Sequence, residues 1–229
     1  MIKQLKMGFK LLPYCYGVVT NLILLVIMLV IGISAEAHSF ELPVKGTDFN
    51  AYQNLGGYII LVAGMFVLQM LISLNVPDFM ATSPWKKKIQ TSVFALMSFV
   101  CYFVCYVIIV GLKIMKYSAG TISYEILIVE LLGFPIMILM LNVYMAIALK
   151  YFVASTVVFC LLMPVLMSMH GIAYYFGWIQ LDGITLAGVI ALGVLSLVVG
   201  SVLDYLLLKL IYKKPVSKYS QVSSLKKKM

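Results

Sequence analysis

Six apolar runs, each close to the length needed to cross a bilayer, leave this chain few folds to choose from. They cover residues 14–35, 58–74, 91–112, 125–149, 151–169 and 184–212. A helix of ~20 apolar residues spans the ~30 Å hydrocarbon layer. Backbone groups in lipid must be satisfied within the segment, so runs of this kind are helical. The expectation is an all-α integral membrane protein, a single transmembrane domain over 1–229 with six transmembrane helices. Composition agrees: 63% of residues are hydrophobic and 11% charged, whereas soluble domains are nearer half and a quarter.

Orientation follows from the lysines. The net charge of +9 comes from 17 Lys and no Arg. Fourteen of these fall on one side of the six-span arrangement: Lys3, Lys6, Lys10, Lys86, Lys87, Lys88, Lys150 and the seven from Lys209 onward. Only Lys45, Lys113 and Lys116 fall on the other, in the connection 36–57 and a short turn over 113–124. Short loops rich in lysine stay in the cytoplasm, which puts both termini inside. Lipid attraction and orientation account for the basic excess, and no soluble domain offers a basic face to nucleic acid. Residues 1–13 carry Lys3, Lys6 and Lys10 at helical spacing among Ile2, Leu5, Phe9 and Leu12. That pattern predicts an amphipathic helix along the inner face. A cleaved signal ending at Ala35-Glu36-Ala37 is the alternative, but its apolar region would be only ~7–15 residues. The basic tail, 213–229, ends in Lys226-Lys227-Lys228-Met229 and needs no receptor at an anionic surface.

Between the second and third spans lies the most distinctive polar stretch, 77–90, reading Pro-Asp-Phe-Met-Ala-Thr-Ser-Pro-Trp-Lys-Lys-Lys-Ile-Gln. Ser83 and Pro84 form a helix-start pair, since proline fits the first turn where its missing N–H is not needed. The expectation is a short interfacial helix with Trp85 at headgroup level and Lys86, Lys87 and Lys88 facing water or a partner.

Ionisable groups inside a bilayer are costly and are functional candidates. Two qualify: Glu130 in the outer part of the fourth span and Asp204 in the inner part of the sixth, joined by polar Asn21, Gln69, Asn75 and Asn142. They could relay protons. Alternatively, Glu130 faces the outer surface and Asp204 pairs with Lys209. The four cysteines, Cys15, Cys101, Cys105 and Cys160, read as small buried hydrophobes, with no local histidine or carboxylate to make a metal site. No nucleophile elbow, zinc helix or phosphate loop is present, so the chain is read as no enzyme and cannot hydrolyse ATP alone. Gly188, Ser196 and Gly200 share one side of the sixth span, as bundle packing or as a dimer seam.

The basic helix before six spans, the loop Ala-Thr-Ser-Pro-Trp-Lys-Lys-Lys after the second and the short turn between the fourth and fifth resemble the small ABC type-2 permeases. The resemblance implies a multi-pass subunit of a bacterial plasma membrane. Asp78 to Lys88 would form a coupling helix, with Ser83, Pro84, Trp85 and Lys86 nearest the groove of a separate ATP-binding subunit. ATP and Mg would sit on that partner, with no cofactor in this chain. Two permease copies, identical or not, would enclose a path lined by Phe66, Gln69, Phe159 and Met163, suited to a lipophilic or amphipathic substrate. Competing readings are the substrate-binding membrane subunit of a vitamin importer, and an ATP-independent secondary carrier.

Overall fold

The computed structural model describes residues 2–15, 17–38, 54–73, 85–175 and 183–213. Helix accounts for every regular element among them. α1 is Ile2–Leu11, α2 is Val18–His38 and α3 is Leu55–Ser73. α4 runs over Lys86–Ser118, α5 over Tyr124–Tyr175 and α6 over Leu186–Ile211. Five of these helices contain a stretch long and apolar enough to cross a membrane.

The sequence periodicity sets which faces meet. α4 and the first part of α5 lie antiparallel, as three contacts show in reverse order. Lys113 pairs with Glu130 at 2.7 Å, Ser98 donates to Asn142 Oδ1 at 2.8 Å, and Lys150 donates to Gln90 Oε1 at 3.3 Å. α6 closes the other side. Ser201 Oγ donates to the Ala95 carbonyl at 3.1 Å, and the Leu186 N–H donates to the Tyr124 hydroxyl at 3.0 Å. The core is formed by α3, α4 and the first part of α5, with Tyr102, Phe94, Phe134, Leu68 and Met97 fully enclosed. α2 and α6 flank it and keep Leu22, Val26, Val30, Leu195 and Leu206 on the outside. Exposed apolar rows of this kind suit lipid contact.

Glycine permits the closest approaches, as expected where helices associate by packing alone. At Gly56 an added Cβ would lie 2.7 Å from the Gly32 carbonyl oxygen, so α2 and α3 touch backbone to backbone. Gly8 lets α1 approach a side chain instead, since its added Cβ would lie 2.8 Å from the Met97 side chain. α1 therefore sits on the start of α4, with Gln4 Nε2 donating to Ser92 Oγ at 3.3 Å. Leu5 and Leu12 pack towards the core, while Ile2 and Phe9 stay exposed.

Several expected boundaries move. Glu36 and Lys113, assigned to external connections, are helical residues of α2 and α4, respectively 1% and 0% exposed. The third span does not stop at 112: α4 continues to Ser118 before a turn with Gly120 at positive φ. Lys86–Lys88 is not a separate interfacial helix. It is the first turn of α4, joined to the rest by a π-helical turn at Ile89–Val93. Thr91 and Ser92 hydroxyls donate to the Lys87 and Lys88 carbonyls there, at 2.6 and 3.3 Å, taking up acceptors near the widened turn. Pro135 does not break its helix, nor does Pro164; the one non-helical residue within α5 is Tyr151, at φ −126° and ψ 54°.

That break reverses the chain. In an unbroken helix Tyr144 and Thr156 would stand ~18 Å apart along the axis. Their hydroxyls are 3.2 Å apart, and the Tyr144 and Phe159 ring centroids are 4.5 Å apart. α5 thus doubles back at Tyr151, one residue from the expected turn at Lys150. Lys150 itself is buried rather than displayed to water. The outgoing part exposes Val153, Val157, Leu161 and Cys160, so Cys160 is not the buried thiol expected; Cys15 and Cys105 are buried.

Candidate functional site

Among the described residues three polar sites interrupt the apolar bundle, at its two ends and in between. At the end where α2 stops and α3 begins, four charges meet. Lys113 Nζ lies 2.5 Å from Glu36 Oε1 and 2.7 Å from Glu130 Oε2. Lys116 Nζ approaches the same Glu36 oxygen at 3.4 Å. The other Glu36 oxygen accepts the Gly57 N–H at 3.0 Å, and Asn54 Nδ2 donates to the Glu130 carbonyl at 2.9 Å. Two carboxylates and two ammonium groups leave no net charge, and the site ties α2, the start of α3, α4 and α5 together. Glu130 is only 2% exposed, so it does not face the outer surface. Among the described residues this is a clamp, with its acids engaged by lysines rather than open to a substrate.

Midway through the bundle, Ser98, Asn142 and Asp204 come from α4, α5 and α6. Gly200 brings Asn142 against α6, where an added Cβ would lie 2.8 Å from Asn142 Nδ2. Asn142 also donates to the Ile138 carbonyl at 2.8 Å. Asp204 is fully buried and makes no ion pair with Lys209 or with any other described lysine. The small residues Ser196 and Gly200 turn inward here, to α4 and α5, whereas Gly188 is exposed beside its capping Thr185. Removing the Ser98 hydroxyl with Ser98→Ala is expected to lower stability modestly, by about 0.6 kcal/mol, the average of interhelical hydrogen bonds in membranes. Unfolding in mixed detergent micelles measures it.

At the opposite end sit Trp85, Lys86, Lys87 and Lys88. Trp85 is 54% exposed, with Lys88 Nζ 5.2 Å from its ring centroid. Lys87 Nζ lies 5.2 Å from the Tyr212 ring at the end of α6. The other expected coupling residues, Asp78, Ser83 and Pro84, lie outside the described residues, as do most of the connection 36–57 and residues 214–229 of the tail.

The expected path residues lie on two elements. Phe66 and Gln69 are half-buried on α3, and Phe159 and Met163 are half-buried beyond the reversal in α5. Phe159 meets Tyr144, and no ring contact joins it to Phe66. The residues that sequence reasoning missed are Glu36, Lys113, Gln90 and Lys150, all enclosed. Among the described residues no group of three His, Cys, Asp or Glu side chains could hold a metal ion. Compared with family models, with curated proteins and with solved structures, the chain matches none.

Proposed function

We propose that this chain is the membrane-spanning permease subunit of an ATP-binding-cassette exporter, moving a lipophilic or amphipathic substrate with force from a separate ATPase. One observation carries the reading. An exposed aromatic and basic surface, Trp85 to Lys88, is the first turn of a core helix rather than part of a loose loop. α4 is 33 residues long, ~50 Å at helical rise. A push on Trp85 is thus delivered along one rigid element to the ionic clamp at Lys113. α1 packs beside the receiving end through Gly8 and Gln4.

Counting the reversed α5 as two crossings gives six, with both termini on the lysine-rich cytoplasmic side of a bacterial plasma membrane. A second copy of the chain completes the path, and helix shifts between two packings alternate access. Phe66, Gln69, Phe159 and Met163 would then meet across that assembly rather than within one chain.

Co-purification with candidate ATP-binding subunits tests the reading. The parent is expected to retain one, and Trp85→Ala or a Lys86, Lys87, Lys88→Ala triple variant to lose it while folding normally. Full transport in vesicles free of any nucleotide-hydrolysing protein would overturn the proposal. Retention only through another membrane subunit would point instead to the importer module.

A further inference from the structure

Asp204 differs from the buried acids Glu36 and Glu130 in having no described lysine to balance it. It lies seven residues before the end of α6, ~10 Å along the axis, and is 0% exposed. Among the described residues neither carboxyl oxygen has a partner of good hydrogen-bond geometry, the Ser98 hydroxyl being directed to Asn142, and no described lysine comes within ion-pair distance. The groups facing it are known from each neighbouring helix. From α4 come Ser98 and Tyr102. Ser98 has one hydrogen to share between Asn142 Oδ1, at 2.8 Å, and Asp204, so it cannot serve both at once. The Tyr102 hydroxyl is buried and also lacks a hydrogen-bond partner among the described residues. Around Tyr102 stand Cys101 and Cys105 of α4 and Tyr144 of α5, none of them a cation. The buried cation of α5, Lys150, is engaged by Gln90. On α6 itself, Lys209 is exposed.

A bare carboxylate in this setting would be an unpaired anion in a low-dielectric interior, at a cost of several kcal/mol. With a proton, the same group is neutral and becomes a donor, and the Ser98 and Tyr102 oxygens can accept from it. We infer that Asp204 is a membrane-embedded proton-binding site, filled while α6 packs on α4 and emptied when the two helices part and water reaches the carboxylate. A hard metal cation asks for about six oxygen ligands, more than Asp204, Ser98 and Tyr102 supply. The inference does not depend on an ATPase partner. Proton binding would persist in the isolated chain even if the co-purification above failed.

The test uses the full chain in phosphatidylcholine nanodiscs and the apolar reagent dicyclohexylcarbodiimide. A protonated carboxyl gives its proton to one carbodiimide nitrogen, and its oxygen bonds the central carbon. An oxygen-to-nitrogen shift then leaves a stable acylurea with nothing expelled. Peptide mass spectrometry at neutral pH is expected to find roughly tenfold more adduct on Asp204 than on exposed Glu125, as protonated groups in apolar surroundings are favoured. The adduct should fall as the pH is raised and be indifferent to exchanging potassium for sodium. Asp204→Asn, which stays neutral, is expected to melt with the parent or above it and to lose the parent's decline in melting temperature with rising pH. No adduct at Asp204 from acidic to alkaline pH overturns the inference. So does protection by sodium at fixed pH, which would mean a metal ion held by a carboxylate.

Discussion

Lys113→Met is expected to cost about 3–5 kcal/mol, the range found when one partner of a buried ion pair is removed. Lys113 is 0% exposed and lies between two acids, Glu36 and Glu130, that are themselves 1% and 2% exposed. Methionine keeps most of the side-chain volume, so the loss comes from charge rather than from a cavity. Glu36 keeps Lys116 at 3.4 Å, whereas Glu130 loses the only described lysine paired with it. The same reasoning predicts recovery. Adding Glu36→Gln and Glu130→Gln to Lys113→Met removes every buried charge it stranded, and most of the stability should return. Lys116→Met should do far less, since its side chain is 13% exposed and its contact longer. Unfolding followed by tryptophan fluorescence in detergent reads all three. A Lys113→Met protein that melts with the parent would show that the clamp contributes nothing to the bundle.

The apolar runs made the membrane-length helices legible, because hydropathy acts over ~20 residues and averages out local exceptions. What stayed hidden were the pairings between distant charges. Lys113 reads as a loop residue because it follows an apolar run, and Glu36 reads the same way. Each helix nevertheless continues past the apolar stretch, α2 by three residues and α4 by six, which buries the charge instead of releasing it to water. A clue lay in the hairpin: Lys113 and Glu130 sit at similar distances on either side of the turn at Gly120, as an ion pair across antiparallel helices requires. The reversal after Lys150 was legible to within a residue, yet Tyr151 carries no proline or glycine to mark it. The two prolines of α5 are accommodated in helix. Asp204 stood out as an intramembrane carboxyl, but that it would meet Ser98 and Tyr102 with no lysine is a tertiary fact with no trace in spacing. For the path, Phe66 and Phe159 were named from their helices alone, and helix identity does not fix which faces meet.

Gly56→Ala is expected to be among the most damaging additions of a single methyl group at the described glycines. Its Cβ would lie 2.5 Å from the Glu36 nitrogen and 2.7 Å from the Gly32 carbonyl oxygen. Both are backbone atoms of α2, so no rotamer change can relieve the contact, and the two helices must separate. Overpacking typically costs about 1–3 kcal/mol. Here the displacement also draws Glu36 away from the Gly57 N–H and from Lys113, which places the effect at the top of that range or above. Gly111→Ala is the matched control: that helical glycine has nothing within 4 Å of an added Cβ, and losing glycine from a helix interior should add roughly 0.5–1 kcal/mol. If both alanines behave alike, the backbone contact between α2 and α3 is not the one described. A double-mutant cycle carries the argument to the clamp. Gly56→Ala already loosens Glu36 from Lys113, so the double variant with Lys113→Met should cost less than the sum of the two single variants, as sites sharing a partner can. Full additivity would mean that the seam between α2 and α3 and the ionic clamp are held independently.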